Sequence, residues 1–195
     1  MKTKTITSIL FIILFVFAGK SIAQNSIVTS GIFLTASDFK KNKLIQEADC
    51  ENDKEKFKTN DFFSKSSFDV LYKGKKTTYQ KKDIYAFRDC ENNVWRFYNN
   101  KEYQIIETKA LYLYTIKKIV VNGGVIEKDP IYYFSSDADG DIKELNIDNL
   151  KLTYPNNQTF RNMIDSEFQT DEAIYSYDHK HKMYLVNYLF IQSKK

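Results

Sequence analysis

Short segments in which aromatic or β-branched residues alternate with polar ones follow one another through the middle of this chain. In the clearest of them, residues 94–98, Trp95 and Phe97 stand opposite Arg96. Successive side chains in a strand point to opposite faces, so such segments pair into a sheet with one buried face. Turn residues separate the segments at short intervals, which favours hairpins. The pattern therefore predicts an antiparallel meander.

The predicted strands have the lengths usual for globular sheets. In chain order they are residues 31–35, 68–73, 76–80, 84–88, 94–98, 103–108, 110–116, 131–135 and 142–145. Asn122-Gly123 and Asp139-Gly140 both suit the type I′ turn, whose two central residues need positive φ. In segment 84–88 the alternation predicts Tyr85 and Phe87 on one face. Ser37 is predicted to cap a short helix that ends at Leu44.

The last third of the chain changes from alternation to helical spacing. One helix is predicted after Pro155 because its apolar residues recur at intervals of three and four. These residues are Phe160, Met163, Ile164 and Phe168. A second helix is predicted from Thr170 onward, although the last ten residues also alternate well enough for a strand. Its stripe consists of Ile174, Tyr177, His181, Tyr184 and Tyr188.

The predicted fold class is thus α+β, with an antiparallel meander sheet packed against two C-terminal helices. The pattern leaves open whether the sheet is only curved or barrel-like.

The first 23 residues have the pattern of a cleaved signal peptide. Lys2 and Lys4 form a positive start, an apolar run without charge covers residues 6–18, and the small residues Ser21 and Ala23 precede the cleavage point. The apolar run is short for a membrane span, and an uncleaved anchor is the alternative. Residues 24–195 are predicted to form a single globular domain, exported to the periplasm or the extracellular space. They contain no further apolar run long enough to span a bilayer.

The predicted signal cleavage removes most of the net positive charge. The full chain has 29 basic and 25 acidic residues, a net charge of +4. Loss of Lys2, Lys4 and Lys20 leaves 26 basic residues, and the net charge falls to +1. A nearly neutral chain without a basic stripe gives no support for nucleic-acid binding.

The tetrapeptide Asp-Cys-Glu-Asn occurs twice and contains both cysteines, Cys50 and Cys90. Asp and Asn favour turns, so each copy is predicted to lie in a hairpin turn. In an oxidising compartment, a Cys50–Cys90 disulfide between the two turns is the favoured interpretation. Two free thiols are the next. The third is a metal site that combines both thiolates with the neighbouring carboxylates, although zinc sites usually use closely spaced pairs.

Both histidines lie in the segment Asp178-His179-Lys180-His181. On a helix the two histidines would point about 200° apart, whereas Asp178 and His181 would share a face. Asp178 and His181 are therefore the candidates for a metal or polar site, set against an ordinary packing role for His181. In a strand, both histidines would share a face.

Other motifs of catalysis and cofactor binding have little support. Residues 137–141, Asp-Ala-Asp-Gly-Asp, resemble part of a calcium loop but equally suit a hairpin turn, and a glutamate at the loop's last position is missing. The sequence contains no nucleophile elbow, P-loop or dinucleotide fingerprint, so no cofactor is predicted.

Three stretches resemble a family of small exported proteins from Bacteroidota to which no activity is assigned. They are residues 31–39, residues 88–105 and residues 177–187. The resemblance covers most of the chain after residue 23 and implies the source and compartment. It implies no mechanism, cofactor or site.

These observations predict a non-enzymatic domain of the cell envelope with a binding or structural role. Its partner would be an envelope protein, a glycan or a small apolar ligand. The second hypothesis is a lipocalin-like carrier of an apolar ligand, which needs a closed barrel around a cavity. The third is a hydrolase or metal site around Asp178 and His181, which needs polar groups gathered in a cleft.

Overall fold

The computed structural model describes residues 29–51, 56–58, 65–122 and 125–195, with the backbone alone for residues 56–58, 117–122 and 125–129. The predicted signal peptide, residues 1–23, lies outside the described residues, as does Gly123 of the first turn signal. No helix of the described ranges has the length and apolar character that a membrane crossing requires.

Strands dominate the described part of the chain. They are β1 (Thr29–Phe33), β2 (Ile45–Asp49), β3 (Lys56–Lys58), β4 (Ser67–Tyr72), β5 (Lys75–Gln80), β6 (Ala86–Arg88), β7 (Val94–Tyr98), β8 (Lys101–Glu107), β9 (Tyr112–Asn122), β10 (Val125–Ser135), β11 (Lys143–Glu144), β12 (Tyr177–Asp178) and β13 (Met183–Tyr184). The helices are α1 (Ala36–Lys40), α2 (Ile147–Thr153), α3 (Gln158–Glu167) and α4 (Leu185–Gln192), with 3₁₀ turns at Lys81–Asp83 and Asp171–Tyr175.

Eight of the described strands form one antiparallel sheet in the order β11-β10-β9-β8-β7-β6-β1-β2. The run from β6 to β11 confirms that part of the predicted meander, and β1 and β2 continue the sheet beyond β6. The predicted strands 68–73 and 76–80, which are β4 and β5, do not join it, because they pair with each other and with β3. The predicted hairpin between β9 and β10 is present, but Asn122 pairs with Val125 and so belongs to the strand rather than to the centre of the turn, as its Asn-Gly signal had predicted. The remaining described strands form a three-stranded sheet, β3-β4-β5, and the small hairpin β12–β13.

One face of the eight-stranded sheet carries most of the apolar core. Leu113 and Phe134 pack there against α2, α3 and α4. Further along the same face, Phe87 and Phe97 pack against Phe68 of the three-stranded sheet. Helices and small sheet thus cover neighbouring parts of one face, which confirms the predicted α+β arrangement.

The other face carries tyrosines, and the sheet curves around it. Tyr103 and Tyr114 form an aromatic cluster there. Phe39 of α1 contacts Tyr112 of β9 with ring centroids 6.4 Å apart. In a flat sheet β1 and β9 would be about 19 Å apart, since neighbouring strands are about 4.8 Å apart. The contact indicates strong curvature, but the sheet stays open because its edge strands β2 and β11 do not pair among the described residues.

The C-terminal third differs from the prediction in its details. The helix after Pro155 is confirmed as α3, capped by Asn157. The continuous helix predicted from Thr170 is wrong: a 3₁₀ turn and the hairpin β12–β13 precede α4, so the last ten residues are mainly helical. The reason is local, because Asp178 accepts backbone N–H bonds from Lys180 and His181 and holds a turn. With α2, three helices rather than two follow the meander in the described chain.

Two local predictions near β1 also need correction. Helix α1 is capped by Thr35 rather than Ser37, through a reciprocal capping box with Asp38, and it ends at Lys40. Tyr85 does not share a face with Phe87. The backbone N–H of Tyr85 donates to the carbonyls of Phe33 and Leu34, so the chain enters β6 only at Ala86 and the alternation does not extend back to Tyr85.

Candidate functional site

The start of β1 lies beside the disulfide. Strands β2 and β6 flank β1 on its two sides, and Cys50 and Cys90 follow their last residues. The two cysteines form a disulfide with their Cα atoms 5.5 Å apart. The favoured interpretation of the two cysteines is thus confirmed. It excludes free thiols and a thiolate metal site at these two positions.

The repeated tetrapeptide is one structural device used twice. Asp49 Oδ1 accepts the N–H of Glu51, and Asp89 Oδ1 accepts the N–H of Glu91 in the same way. Such side-chain bonds to the backbone two residues on define an Asx turn. In the second copy Asp89 Oδ2 also accepts a bond from Trp95 Nε1 at 2.9 Å. The carboxylates of Asp49 and Asp89 hold the turns that carry the disulfide. The predicted hairpin is confirmed only for the second copy, which joins the paired strands β6 and β7. The strands on either side of the first copy, β2 and β3, belong to different sheets.

A cavity of about 630 Å³ opens near the other end of β1, and we call it the Arg96 cavity. Residues that follow β1, precede β6 and connect β7 to β8 form its wall, and the loop after β10 closes it. The lining residues are Leu34, Thr35, Ala36, Ser66, Lys81, Lys82, Asp83, Ile84, Tyr85, Arg96, Phe97, Tyr98, Asn99, Asn100 and Asp139. The walls thus combine aromatic rings with charged and amide side chains.

Arg96 is the buried cation of this cavity, with only 4% of its surface exposed. Its Nη1 donates to Tyr114 Oη at 2.8 Å, and its Nη2 donates to the Gly140 carbonyl at 2.9 Å. Rings of Tyr85 and Tyr98 lie 5.3 and 5.5 Å from the guanidinium, within cation–π range. Arg96 forms no ion pair with any described residue, and its Nε has no hydrogen-bond partner among them.

A relay of hydroxyl groups fixes the position of the guanidinium. Ser135 Oγ donates to the carbonyl of Asp137, which uses its only proton. The bond between Tyr114 and Ser135, 2.8 Å long, must then run from the tyrosine to the serine. Tyr114 Oη is left to accept from Arg96. The guanidinium is therefore held by neutral acceptors, which leave its charge uncompensated.

Tyr85 supplies a second polar group without a partner. Its Oη is shielded from solvent and makes no hydrogen bond to the described residues. Burial, together with the nearby Tyr114, raises the pKa of Tyr85 well above its ordinary value. Tyr85 is therefore a neutral phenol at all physiological pH values, able to donate one hydrogen bond and accept another.

Lys81 is as buried as Arg96 but is fully compensated. Its Nζ lies 2.9 Å from Glu102 Oε1 and 3.1 Å from the Asn100 carbonyl. Both side chains are almost inaccessible, with 1% and 6% of their surfaces exposed. The pair ties the segment before β6 to the β7–β8 hairpin. It shapes the cavity wall and adds no net charge.

The predicted candidates Asp178 and His181 lie elsewhere, in the turn between β12 and β13. His181 Nδ1 is 2.5 Å from Asp178 Oδ2, and the imidazole stacks on Tyr188 with centroids 4.0 Å apart. The hydrogen bond from His181 lowers the pKa of Asp178. Neither residue lines the Arg96 cavity or the smaller groove between α2 and α3. His179 is exposed and contacts Tyr177 rather than joining the pair.

The remaining acidic motif also forms a turn. Asp137 Oδ1 accepts the N–H groups of Asp139 and Gly140, so its carboxylate closes the loop between β10 and β11. The predicted type I′ turn is wrong, because neither Asp139 nor Gly140 has a positive φ. Within the described ranges, no group of three or more His, Cys, Asp or Glu side chains is placed to hold a metal ion.

Sequence reasoning placed Arg96 correctly, opposite Trp95 and Phe97, but did not identify it as a site residue. The available signal was an arginine at an alternating position of a strand otherwise rich in aromatic residues. Tyr85 gave no usable signal, because the alternation assigned it to the wrong face.

No protein-family model, curated protein or solved structure matches this chain. The resemblance to exported Bacteroidota proteins therefore stays a prediction, and the case for a function depends on the geometry of the cavity.

Proposed function

We propose that this chain is an exported, non-enzymatic binding domain of the cell envelope that holds a small polar ligand in the Arg96 cavity. One observation carries the proposal: the cavity is lined by a buried arginine whose Nε–H has no partner among the described residues. Ligand pockets typically measure about 300–1,000 Å³ and combine apolar walls with a few convergent polar groups. The Arg96 cavity has that size and composition.

The energetic cost of the arrangement supports a ligand. A buried donor or acceptor without a partner destabilises a protein by about 1–3 kcal/mol, and a charged group by more. Arg96 and Tyr85 both have such atoms in the same wall. A ligand that supplies acceptors to Nε of Arg96 and to the phenol of Tyr85 would remove both costs. Binding energy is thus available in the cavity before any new apolar contact is counted.

Export is supported by two independent features. The first 23 residues have the order of charges, apolar run and small residues that signal peptidase recognises. The Cys50–Cys90 disulfide belongs to an oxidising compartment, such as the periplasm or the extracellular space. Glycans and envelope proteins are the polar partners available there.

The two other functional hypotheses have less support. An apolar carrier would need an enclosed apolar interior, whereas the sheet is open and the cavity wall contains Lys82, Asp83 and Asp139. A hydrolase would need a nucleophile next to His181. No described hydroxyl donates a hydrogen bond to this imidazole, and both cysteines are in the disulfide.

Native mass spectrometry tests the proposal on protein exported with its own N-terminal segment. We expect a denatured mass equal to residues 24–195 less two hydrogens, and a native mass that exceeds it by a small ligand. Arg96→Gln should lose the extra mass, whereas Arg161→Gln, outside the Arg96 cavity, should keep it. Tyr85→Phe, a milder change, serves if Arg96→Gln does not fold. An extra mass retained in both cavity variants would contradict the proposed site.

A further inference from the structure

We infer that the ligand of the Arg96 cavity carries a carboxylate, which pairs with Arg96 and Tyr85, on a hydroxyl-bearing body such as a uronic acid. This inference rests on the binding function proposed above and adds the chemical class of the ligand. It follows from the charge of the buried groups, from the N–H groups that they leave free and from the residues at the rim.

The charge balance of the deep wall calls for one negative charge. Arg96 and Lys81 are its two buried cations. Lys81 is neutralised by Glu102 at 2.9 Å, whereas Arg96 has no ion-pair partner in the described chain. A buried charge is strongly unfavourable until it is paired. A single anionic group on the ligand completes the pairing.

The free N–H groups fit a planar anion. A guanidinium has five N–H donors, and those recorded in use belong to Nη1 and to one hydrogen of Nη2. Nε–H and the second Nη2 hydrogen have no described acceptor. Nε and Nη2 share one edge of the guanidinium, so the two oxygens of a carboxylate can accept from that edge together when the Gly140 carbonyl takes the Nη2 hydrogen on the side of Nη1. The phenol of Tyr85, whose ring lies 5.3 Å from the guanidinium, adds a neutral donor.

The rim of the cavity favours a monoanion with hydroxyl groups over phosphate. Asp83 and Asp139 are exposed lining residues, and each opposes a doubly charged group. Their carboxylates instead accept bonds from hydroxyls, while the amide of Asn100 can donate or accept. Tyr98 offers an aromatic surface beside them. A sugar acid presents its carboxylate to the deep wall and its hydroxyls to this rim.

Access to the deep wall requires a movement of Tyr85. Nε of Arg96 and Oη of Tyr85 are both shielded from solvent without a ligand. The Tyr85 ring is 5.3 Å from the guanidinium and 5.6 Å from the Phe39 ring of α1. Because this ring contacts the guanidinium, we expect it to turn aside when a carboxylate reaches Nε. The Arg96 and Tyr85 resonances should therefore change together on binding.

NMR titration of the exported protein tests the inference, with the side-chain Nε–Hε resonance of Arg96 as the direct probe. The ligands are galacturonate and its neutral counterpart galactose, acetate and its neutral counterpart acetamide, and inorganic phosphate. We expect galacturonate to shift the Arg96 resonance and to bind at least about tenfold more tightly than galactose. Acetate should shift the same resonance weakly, and acetamide should not.

Two Tyr→Phe variants separate an effect on ligand binding from an effect on folding. Tyr85→Phe keeps the ring and removes one hydrogen bond of about 1 kcal/mol, so galacturonate affinity should fall about fivefold. Tyr177→Phe, an exposed tyrosine outside the cavity, should leave the affinity unchanged. Equal binding of galacturonate by wild type and Tyr85→Phe would remove Tyr85 from the site.

The outcomes distinguish this inference from the proposed function. Equal binding of galactose and galacturonate at the cavity would refute the inferred carboxylate but would leave the proposed binding function intact. If phosphate binds more tightly than every carboxylate tested, the inference is wrong about the anion, and the ligand carries a phosphate-like group instead. If no probe moves Arg96 but native spectra show a bound mass that depends on Arg96, the inference alone fails. If no probe binds and the native protein is bare, both fail.

Discussion

Asn187 is the residue whose removal should most clearly reveal how the C-terminal helices are held to the sheet. Its side chain is fully buried in α4. Oδ1 accepts the N–H of Leu111 at 2.7 Å, and Nδ2 donates to the Leu111 carbonyl at 3.1 Å and to Glu107 Oε1 at 2.5 Å. One amide thus satisfies both backbone groups of Leu111, a buried residue just before β9.

The expected magnitude follows from these contacts. Asn187→Ala leaves the N–H and the carbonyl of Leu111 buried without partners, at about 1–3 kcal/mol each. Glu107 loses one donor but keeps the N–H of Tyr184 at 3.0 Å. We expect the free energy of unfolding to fall by about 3–5 kcal/mol, a large fraction of the 5–15 kcal/mol typical of a whole protein.

Urea unfolding followed by circular dichroism measures this change as a shift of the midpoint at constant slope. Asn187→Leu keeps the branched heavy-atom outline of the side chain and leaves no cavity, so it separates lost hydrogen bonds from a cavity and should cost nearly as much. Asn162→Ala, an exposed asparagine of α3, should change stability by less than about 0.5 kcal/mol. A loss below about 1 kcal/mol in both Asn187 variants would refute the view that this amide anchors α4.

The other predictions concern the disulfide, its turns and the tyrosines. Replacing Cys50 and Cys90 by serine opens a link across 40 residues and should lower the free energy of unfolding by roughly 4 kcal/mol, measured in urea. Asp89→Ala breaks the bond to Trp95, the only tryptophan, and should shift its fluorescence to the red; Asp49→Ala, the equivalent turn change, should not. Burial raises the pKa of nine described tyrosines, which therefore keep protons that the unfolded chain releases above about pH 10. Stability should fall as the pH rises from about 9 to about 11, and a urea midpoint unchanged across that range would contradict this linkage.

Local sequence patterns predicted correctly those strands and helices that are formed by residues close together in the chain. Strand β7 has the predicted bounds, Val94–Tyr98, because alternation over five residues is enough to define a strand. Helix α3 follows from apolar residues three and four apart, with Asn157 as its cap. The prediction for residues 170–184 was wrong because their apolar spacing fits a helix, whereas the turn held by Asp178 favours a hairpin.

The candidate site could be predicted only in part. Alternation put Arg96 on the face opposite Trp95 and Phe97, and that much is correct. It could not show that the guanidinium would be buried, or that no carboxylate would approach it. Tyr85 was assigned to the wrong face, because strand β6 begins only at Ala86, after it. The backbone N–H of Tyr85 donates instead to the carbonyl of Phe33 in β1, about 50 residues earlier.

The sequence by itself determined the alternating strands, the approximate positions of the turns in the meander and the two cysteines that form the disulfide. These depend on the period of the side chains and on residue types that favour turns, which act within a few residues. The tertiary structure alone decided what surrounds Arg96: its partners Tyr114 and Gly140 lie 18 and 44 residues away in the chain. The Arg96 cavity exists because sheet curvature brings such distant segments together. The local periodicity of the sequence does not indicate which polar groups meet there.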